Sequence, residues 1–406
     1  KHAGTYINLG NIYYEKMDFF PAIKHFKSAI RIDPNFPDTY YNLAATFERI
    51  KDFSNSLKYY KLSFQHNSQE IKSLTKIRLL SKKIRKNDEA IRYFKDLLNR
   101  FPNSKDIIYN LAATFKSNGE LVKAKFYFNK LLKIDDKNIK SYVLLGEVLC
   151  YTHSLNQGIK LFKKAIALDK KDHIAHSFLL FYSNYCPNHS SEEIFSYYQQ
   201  FDNKFGLPLR KEWQPFTPIK KPKKKLKIGY VSPDFRKHSA QNFLLPTLAH
   251  HDHQKFEVFA FAELTKEDHV TKQYQSYVDH WIPTQNLTDQ QMVQKIRDME
   301  IDILVDLAGH TKNNRLLVFA RKPAPVSLKY WIGYGYTTGL TAINYFLTNK
   351  VLVPKGDEHL FSEKIYHLSH HAAIWDPDSN QMGDVGPLPA LKNGHITFGT
   401  LTRAIR

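Results

Sequence analysis

Asp234 and His238 stand four residues apart in the string SPDFRKHSAQNF. A carboxylate beside an imidazole is an acid–base unit: the ring accepts a proton near neutral pH and the acid raises its basicity. A second polar group, Asp306, His310 and Arg315, lies in DLAGHTKNNR. A third string, WIGYGYTTGL, supplies Gly333, Gly335, Thr337, Thr338 and Gly339. Glycines at such positions let a phosphate or sugar approach the backbone closely. Histidines also occur in two runs, His250, His251 and His253, then His367, His370 and His371. Neither run has the fixed spacing and carboxylate support of a metal site, so no metal is expected. Cys150 and Cys186 are too few for a disulfide framework and too isolated for zinc. No G-x-G-x-x-G follows a strand and no G-x-S-x-G lies near one, which disfavours a dinucleotide dehydrogenase and a serine hydrolase.

The elements that must hold these groups are legible from residue 226 onward. The runs LKIGYVS, FEVFAFAE, HWIPT, DILVDLAG, VSLKYWIG, NYFLTN and KIYHLS are short, apolar and rich in β-formers, with helical stretches between them. Buried strands separated by helices predict a parallel, Rossmann-like α/β sheet over 226–390. Ligands of such sheets bind at the carboxyl ends of the strands. Asp234 and His238 follow the first run, Asp306, His310 and Arg315 the fourth, and the Gly/Thr string the fifth. Three polar loops therefore meet at one sheet edge, and that edge is the candidate active site.

The first 170 residues repeat. Tyr6, Tyr40, Leu74, Ile108 and Tyr142 are spaced by 34, as are Leu9, Leu43, Ile77, Leu111 and Leu145. The small residues Ala22, Ser56, Ala90, Ala124 and Gly158 keep the same step, and so do Phe26, Tyr60, Phe94, Phe128 and Phe162. This is the tetratricopeptide (TPR) period, and it predicts an α-solenoid of five helical hairpins with a binding groove. The small residue lies where two helices of a hairpin cross, and the aromatics fill the space between hairpins. Repeat three departs from the pattern with Arg78 and Ser81. Asn8, Asn42 and Asn110 form a further column, with Lys76 and Leu144 in the same slot. A side-chain amide both donates and accepts, so this column can grip a peptide backbone; it equally suits an exposed helical position. Residues 171–225 read as a helical crossover, with Ser190 or Ser191 as a helix cap, ending in a basic, proline-bearing linker at Lys220–Lys225.

The chain of 406 residues is 42% hydrophobic and 24% charged, enough for two or three domains and too balanced for wholesale disorder. No apolar run approaches a membrane span. The net charge of +20 comes without any groove-reading motif, so nucleic-acid binding is not expected. The sparse cysteines suit a reducing, cytoplasmic setting. Lys1 is not an initiator methionine, so a preceding segment is expected.

TPR repeats, a helical crossover, and then LKIGYVSPDFRKHS, IDILVDLAGHT and RKPAPVSLKYWIGYGYTTGL resemble the protein O-GlcNAc transferase and SPINDLY group of glycosyltransferases. The resemblance covers essentially the whole chain, and DLAGHTKNNRL with GPLPALKNGHITFG is nearer to SPINDLY and its bacterial relatives. It implies a TPR superhelix followed by the first lobe of a GT-B fold. It further implies metal-independent, inverting transfer of a sugar from a nucleotide donor, UDP-GlcNAc or GDP-fucose, to Ser or Thr of proteins held in the TPR groove. By motif position His238 is the base, proton relay or positioning group and Asp234 its assistant. His176 matches a histidine region facing the cleft, and Gly333, Gly335 and Thr337 match the segment against the donor sugar. His310 is a further catalytic candidate. Gly335 and Tyr336 depart from the family's loop and bring a phenol towards the sugar pocket. Residues 391–406 resemble the first strand of a second, nucleotide-binding lobe, so a longer natural protein is expected. A homodimer through the repeats is left open, as is a non-catalytic scaffold with a degenerate lobe.

Overall fold

A computed structural model describes residues 2–68, 71–216, 225–264, 266–330, 332, 335–369, 384 and 386–398. The chain divides into two compact units, 1–169 and 170–406.

The first unit is five helical hairpins. Their helices are α1 (Ala3–Glu15) and α2 (Phe19–Ile32), α3 (Pro37–Arg49) and α4 (Phe53–His66), α5 (Ile71–Lys83) and α6 (Asn87–Arg100), α7 (Lys105–Ser117) and α8 (Leu121–Ile134), and α9 (Ile139–Tyr151) and α10 (Leu155–Leu168). Ala22, Ser56, Ala90 and Ala124 are fully buried at the crossings. At the fifth crossing a Cβ on Gly158 would stand 2.4 Å from Cys150 Sγ, so nothing larger than glycine fits. Phe26, Tyr60, Phe94, Phe128 and Phe162 are likewise fully buried, and truncating one costs about 3–5 kcal/mol.

The period is also written in the backbone. Met17, Lys51, Arg85, Gly119 and His153 are 34 apart, and each takes a left-handed φ, of 61°, 63°, 60°, 82° and 59°. One residue further on, the backbone N–H of Asp18, Asp52, Lys86, Glu120 and Ser154 reaches back to the carbonyl of Tyr13, Phe47, Ser81, Phe115 and Leu149. This bond satisfies a carbonyl that the first helix leaves open at its end and reverses the chain.

The second unit is a seven-stranded, wholly parallel sheet in the order β3-β2-β1-β4-β5-β6-β7. The strands are β1 (Leu226–Ser232), β2 (Phe256–Ala262), β3 (His280–Pro283), β4 (Ile303–Asp306), β5 (Val326–Tyr330), β6 (Tyr345–Thr348) and β7 (Lys364–His367). All seven expected runs are strands. Helices α13 (Gln241–Ala249), α14 (His269–Ser276), α15 (Asp289–Asp298) and α16 (Leu316–Ala320) connect the first five. The chain leaves β1 towards β2 on one side and returns as β4 on the other. Ligands of doubly wound sheets bind at that reversal.

The helices of the expected crossover belong to this second unit. Helices α11 (His173–Ser183) and α12 (Ser191–Phe201) run through a π turn (Asp202–Gly206) into a 3-10 turn (Leu207–Glu212). Tyr198 and Phe201 are buried with Val318, Phe319 and Leu340. Asp202 accepts from the Thr341 hydroxyl at 2.6 Å, and Trp213 donates its indole N–H to the carbonyl of Ala320 at 2.8 Å. An amphipathic helix without its own core must cover one, and here it covers the sheet. Near the other end, Pro389–Asn393 forms the short helix α17. Residues 394–398 carry no strand, and the rest of the stretch expected to begin a second lobe, 399–406, lies outside the described residues, as does most of the basic run at 220–225.

Candidate functional site

Phe235 anchors the loop after β1. Its ring is fully buried against Tyr274 and Trp281, and its carbonyl accepts from the Thr271 hydroxyl at 2.9 Å. On either side of this pin stand the two expected groups. Asp234 accepts from Arg236 Nη2 at 2.7 Å through Oδ1, and its other oxygen lies 3.9 Å from His238 Nδ1. The Asp234 side chain is 18% exposed and that of His238 is 33% exposed, so the imidazole is the open member of the pair. The backbone N–H of Ala240 donates to His238 Nδ1 at 3.3 Å. In the neutral ring that bond assigns the proton to Nε2. His238 therefore offers a donor in this state, and it becomes an acceptor at Nε2 when its proton sits on Nδ1, the nitrogen facing Asp234.

Beside this loop, β4 ends in a fully buried ion pair. Asp306 Oδ2 lies 3.4 Å from Lys329 Nζ, and both side chains are 0% exposed. The backbone N–H groups of Ala308 and Gly309 donate to Asp306 at 3.2 and 2.7 Å, and Lys329 donates to the carbonyl of Tyr330 at 2.8 Å. Burial pulls Lys329 below the ordinary lysine range, while Asp306 opposes that pull. Such a pair fixes a loop more than it stabilises a fold, since removing either partner strands a buried charge. In the sequence this lysine shows only as a charge inside the apolar run VSLKYWIG, with nothing nearby to name its partner.

His310 is not an open acid or base. It is 2% exposed, with its ring against Tyr198 and Phe201. Its Nε2 lies 2.8 Å from the carbonyl of Thr338 and its Nδ1 3.1 Å from the hydroxyl of Ser177. A carbonyl only accepts, so Nε2 carries the proton and Nδ1 receives the Ser177 hydroxyl. Burial pushes this histidine down to about 3, so it is neutral at physiological pH. It cross-links α11, the loop after β4 and the loop after β5, and any proton exchange with a substrate would first break that link. His176, one residue before Ser177, is half-buried, packs on Phe205 and holds Nε2 3.4 Å from Lys204 Nζ. Burial, and then the Lys204 charge, lower it to about 4.

Arg315 is likewise committed. Its guanidinium bonds Glu263 at 2.9 Å, Asp289 at 2.9 Å, and the carbonyls of Thr284 and Leu287 at 3.0 Å each. It thereby ties together the ends of β2 and β3 and the start of α15. Next to it opens a cleft of about 400 Å³ whose polar lining is His173, Glu263, Asp289, Asn313, Asn314 and Arg315.

The Gly/Thr string divides. Gly333 lies outside the described residues. Gly335 is exposed, and nothing stands within 4 Å of where a Cβ would be. Tyr336 is half-buried between Tyr198 and Phe361, each ring 5.1 Å away. Thr337 does not present its side chain to a donor: it is fully buried, and its hydroxyl donates to Glu363 at 2.5 Å. The Thr338 hydroxyl donates to the other oxygen of Glu363, which burial raises above the usual carboxylate range. The residue types suggest a ligand loop, but the acceptor for both hydroxyls, Glu363, comes from just before β7, farther along the chain.

In the first unit the asparagine column is uneven. Asn8 is exposed, and Asn42 donates to Asn11 at 3.1 Å. Asn110 is 1% exposed, donates to the carbonyl of Asp106 at 2.9 Å and accepts from Arg78 Nε at 3.0 Å. Its amide is thus consumed, because Arg78, standing where other repeats have a small residue, reaches across to it.

Each described member of the histidine runs has its own polar neighbour: His250 the carbonyl of Pro246, His251 the hydroxyl of Tyr230, His253 the carboxylate of Asp279, and His367 the carbonyl of Val353. Among the described residues no group of three or more His, Cys, Asp or Glu is placed to hold a metal ion. His370 and His371 lie outside the described residues. Among the described residues no helix is long and apolar enough to cross a membrane.

Comparison with known proteins covers both units. The profile described as glycosyl transferase family 41 matches residues 208–383, and TPR profiles match 10–50, 78–104 and 106–138. The probable UDP-N-acetylglucosamine–peptide N-acetylglucosaminyltransferase SPINDLY of Solanum lycopersicum is 33% identical over 221 residues, which is 53% of this chain and 23% of that protein. The probable enzyme of the same description named SEC, from Arabidopsis thaliana, is 34% identical over 176 residues, 41% of this chain and 17% of that protein. A structure of a Thermobaculum terrenum O-GlcNAc transferase mutant has 27% identity and a TM-score of 0.71 over 77% of this chain and 60% of that one. The chain thus spans about a quarter of the length of the curated relatives it matches.

Proposed function

We propose that this chain belongs to a protein O-glycosyltransferase, because residues 208–383 match the glycosyl transferase family 41 profile and TPR profiles match the array that precedes them. In this reading a sugar passes from a nucleotide donor to a Ser or Thr hydroxyl of a protein held by the repeats. The observation that carries it is the Asp234–His238 pair on a pinned loop at the carboxyl end of β1, where the sheet order reverses. Transfer forms a bond between the acceptor oxygen and the anomeric carbon, breaks the bond from that carbon to the donor phosphate, and releases one proton from the acceptor.

His238 supports two parts in this reaction, told apart by its tautomer. With Ala240 donating to Nδ1, the ring presents Nε2–H to an anionic oxygen and positions the donor. With the proton moved to Nδ1, next to Asp234, Nε2 takes the acceptor's proton and the carboxylate steadies the resulting imidazolium. His310, the Asp306–Lys329 pair and Arg315 hold the neighbouring loops in place around it. Exposed Gly335 leaves room for the donor to approach, and the half-buried phenol of Tyr336 bounds that space. Two buried free thiols suit a cytoplasmic setting.

The SPINDLY relatives are named as probable UDP-N-acetylglucosamine–peptide N-acetylglucosaminyltransferases, so UDP-GlcNAc leads GDP-fucose as the proposed donor. The deciding experiment incubates the full gene product with each donor and a library of Ser/Thr peptides, read by mass spectrometry. Transfer from UDP-GlcNAc, lost in His238→Ala while peptide binding persists, is the expected result. Transfer from neither donor refutes the proposal and favours a binding scaffold.

A further inference from the structure

The second helices of the repeats carry a pattern that glycosyl transfer does not use. Lys24, Lys58, Arg92 and Lys160 occupy one repeat position, at steps of 34, with Phe126 in the remaining repeat. Three residues further on, Lys27, Lys61, Lys95 and Lys163 do the same, with Asn129 in the gap. Spacing of three places both columns on one face of each helix. Seven of these eight cations are exposed and Lys61 is half-buried. The result is a double row of positive charge along α2, α4, α6 and α10, on helices that do not carry the asparagine column.

The plain alternative is that these are solvated lysines whose stems cover aromatic rings. Lys27 does lie over Phe47, Lys61 over Tyr93 and Lys95 over Phe115, at 5.6, 5.2 and 5.8 Å. Two observations go beyond that account. Residues 1–169 hold 30 Lys and Arg against 16 Asp and Glu, whereas residues 170–406 hold 29 against 23, so most of the chain's excess charge sits in the repeats. A groove of about 340 Å³ also opens between α4 and α6, with Ser54, Lys58, Lys61, Gln65 and Lys86 in its wall. Glu89 alone answers the lysines there, at 2.6 Å from Lys61 and 3.4 Å from Lys86.

We infer that this face binds an extended, acidic polypeptide segment. An extended chain advances about 3.3 Å per residue, so a segment with carboxylates spread along it meets the cations of one repeat after another. A nucleic acid strand fits less well, because Phe47, Tyr93 and Phe115, the rings that could stack on bases, lie beneath lysine stems. Phe126, 64% exposed where the row breaks, offers an apolar contact within the acidic register. The inference does not depend on the transferase reading, since no residue in it belongs to the second unit.

The test uses the full 406-residue chain and fluorescence anisotropy. The probes are a labelled 15-residue peptide with Glu at every third position and Ser elsewhere, the same peptide with Gln for Glu, and a 15-nucleotide oligo-dT. The Glu peptide should bind, with affinity falling as salt rises, and the Gln peptide should not. Replacing Lys24, Lys58, Arg92 and Lys160 by Gln should weaken binding roughly tenfold or more. Replacing Lys72, Lys82, Lys105 and Lys140, all on first helices, removes the same charge away from the rows and should change it less than about twofold. Should the first variant melt early, the pair Lys24→Gln and Lys160→Gln at the two ends of the row replaces it, with a loss of roughly threefold expected. Equal losses in the two sets, or tighter binding of oligo-dT than of the Glu peptide, would overturn the inference.

Discussion

If His310 is a neutral cross-link, acid should loosen the second unit in a way that a substitution at His310 removes. The folded ring is held down to about 3, whereas an unfolded histidine titrates near 6.5. The unfolded chain therefore takes up a proton below pH 6.5 that the folded chain refuses. The stability due to the neutral ring is complete above about pH 6.5 and declines as the pH falls towards 3. Each pH unit in that window is worth about 1.4 kcal/mol, so going from pH 7.5 to pH 5 costs about 2 kcal/mol for this one residue. His176, lowered to about 4, adds to the same slope, but its partly solvated ring adds less.

His310→Gln keeps a donor and an acceptor and removes the titration. At pH 7.5 the variant should lose about 1–3 kcal/mol through poorer geometry to Ser177 and Thr338. Its stability should then depend on pH more weakly, and the two curves should converge near pH 5. All four tryptophans lie after residue 170, so urea unfolding followed by tryptophan fluorescence reports on this unit. An unchanged acid slope in the variant, or an NMR titration of His310 near pH 6.5, would refute the assignment.

Other substitutions probe the remaining parts. Lys329→Met should destabilise the second unit by about 3–5 kcal/mol by stranding a buried carboxylate, and adding Asp306→Asn should restore most of the loss in the same urea assay; no recovery would mean that the pair is not coupled. Asp234→Asn in the full gene product should reduce transfer by roughly 10²-fold or more while leaving binding of an acceptor peptide intact, and an unchanged rate would remove Asp234 from the mechanism. Gly119→Ala should cost about 1–2 kcal/mol, measured by far-ultraviolet circular dichroism in urea, because φ is +82° there while open space surrounds the added methyl; a loss near zero would show that the turn relaxes.

The strands and hairpins were legible because each is a local pattern. Burial on both faces of a parallel sheet leaves continuous apolar runs, and a 34-residue unit leaves columns. What escaped were the partners supplied from far along the chain. Thr337 and His310 have the residue types of a site, but Glu363 and Ser177, which claim them, lie 26 and 133 residues away. Asn110 was read from its own column, while the residue that occupies it, Arg78, sits one repeat earlier. Helices α11 and α12 read as a connector because amphipathic periodicity says that a face is buried without saying against what. The Asp234–His238 pair was legible because both members lie on one short loop.

The left-handed residue that closes every hairpin has a bearing on how this chain could have arisen. Because the turn recurs at residues 17, 51, 85, 119 and 153, a genetic deletion or duplication of 34 residues starting anywhere in the array rejoins it in phase. The splice then inherits a reversal, a helix crossing and a cationic step already suited to its neighbours. The array's length is therefore free to drift by whole cassettes under selection for partner reach, whereas Arg78, which breaks the small-residue column and engages the following repeat, marks one cassette that can no longer be exchanged without disturbing Asn110.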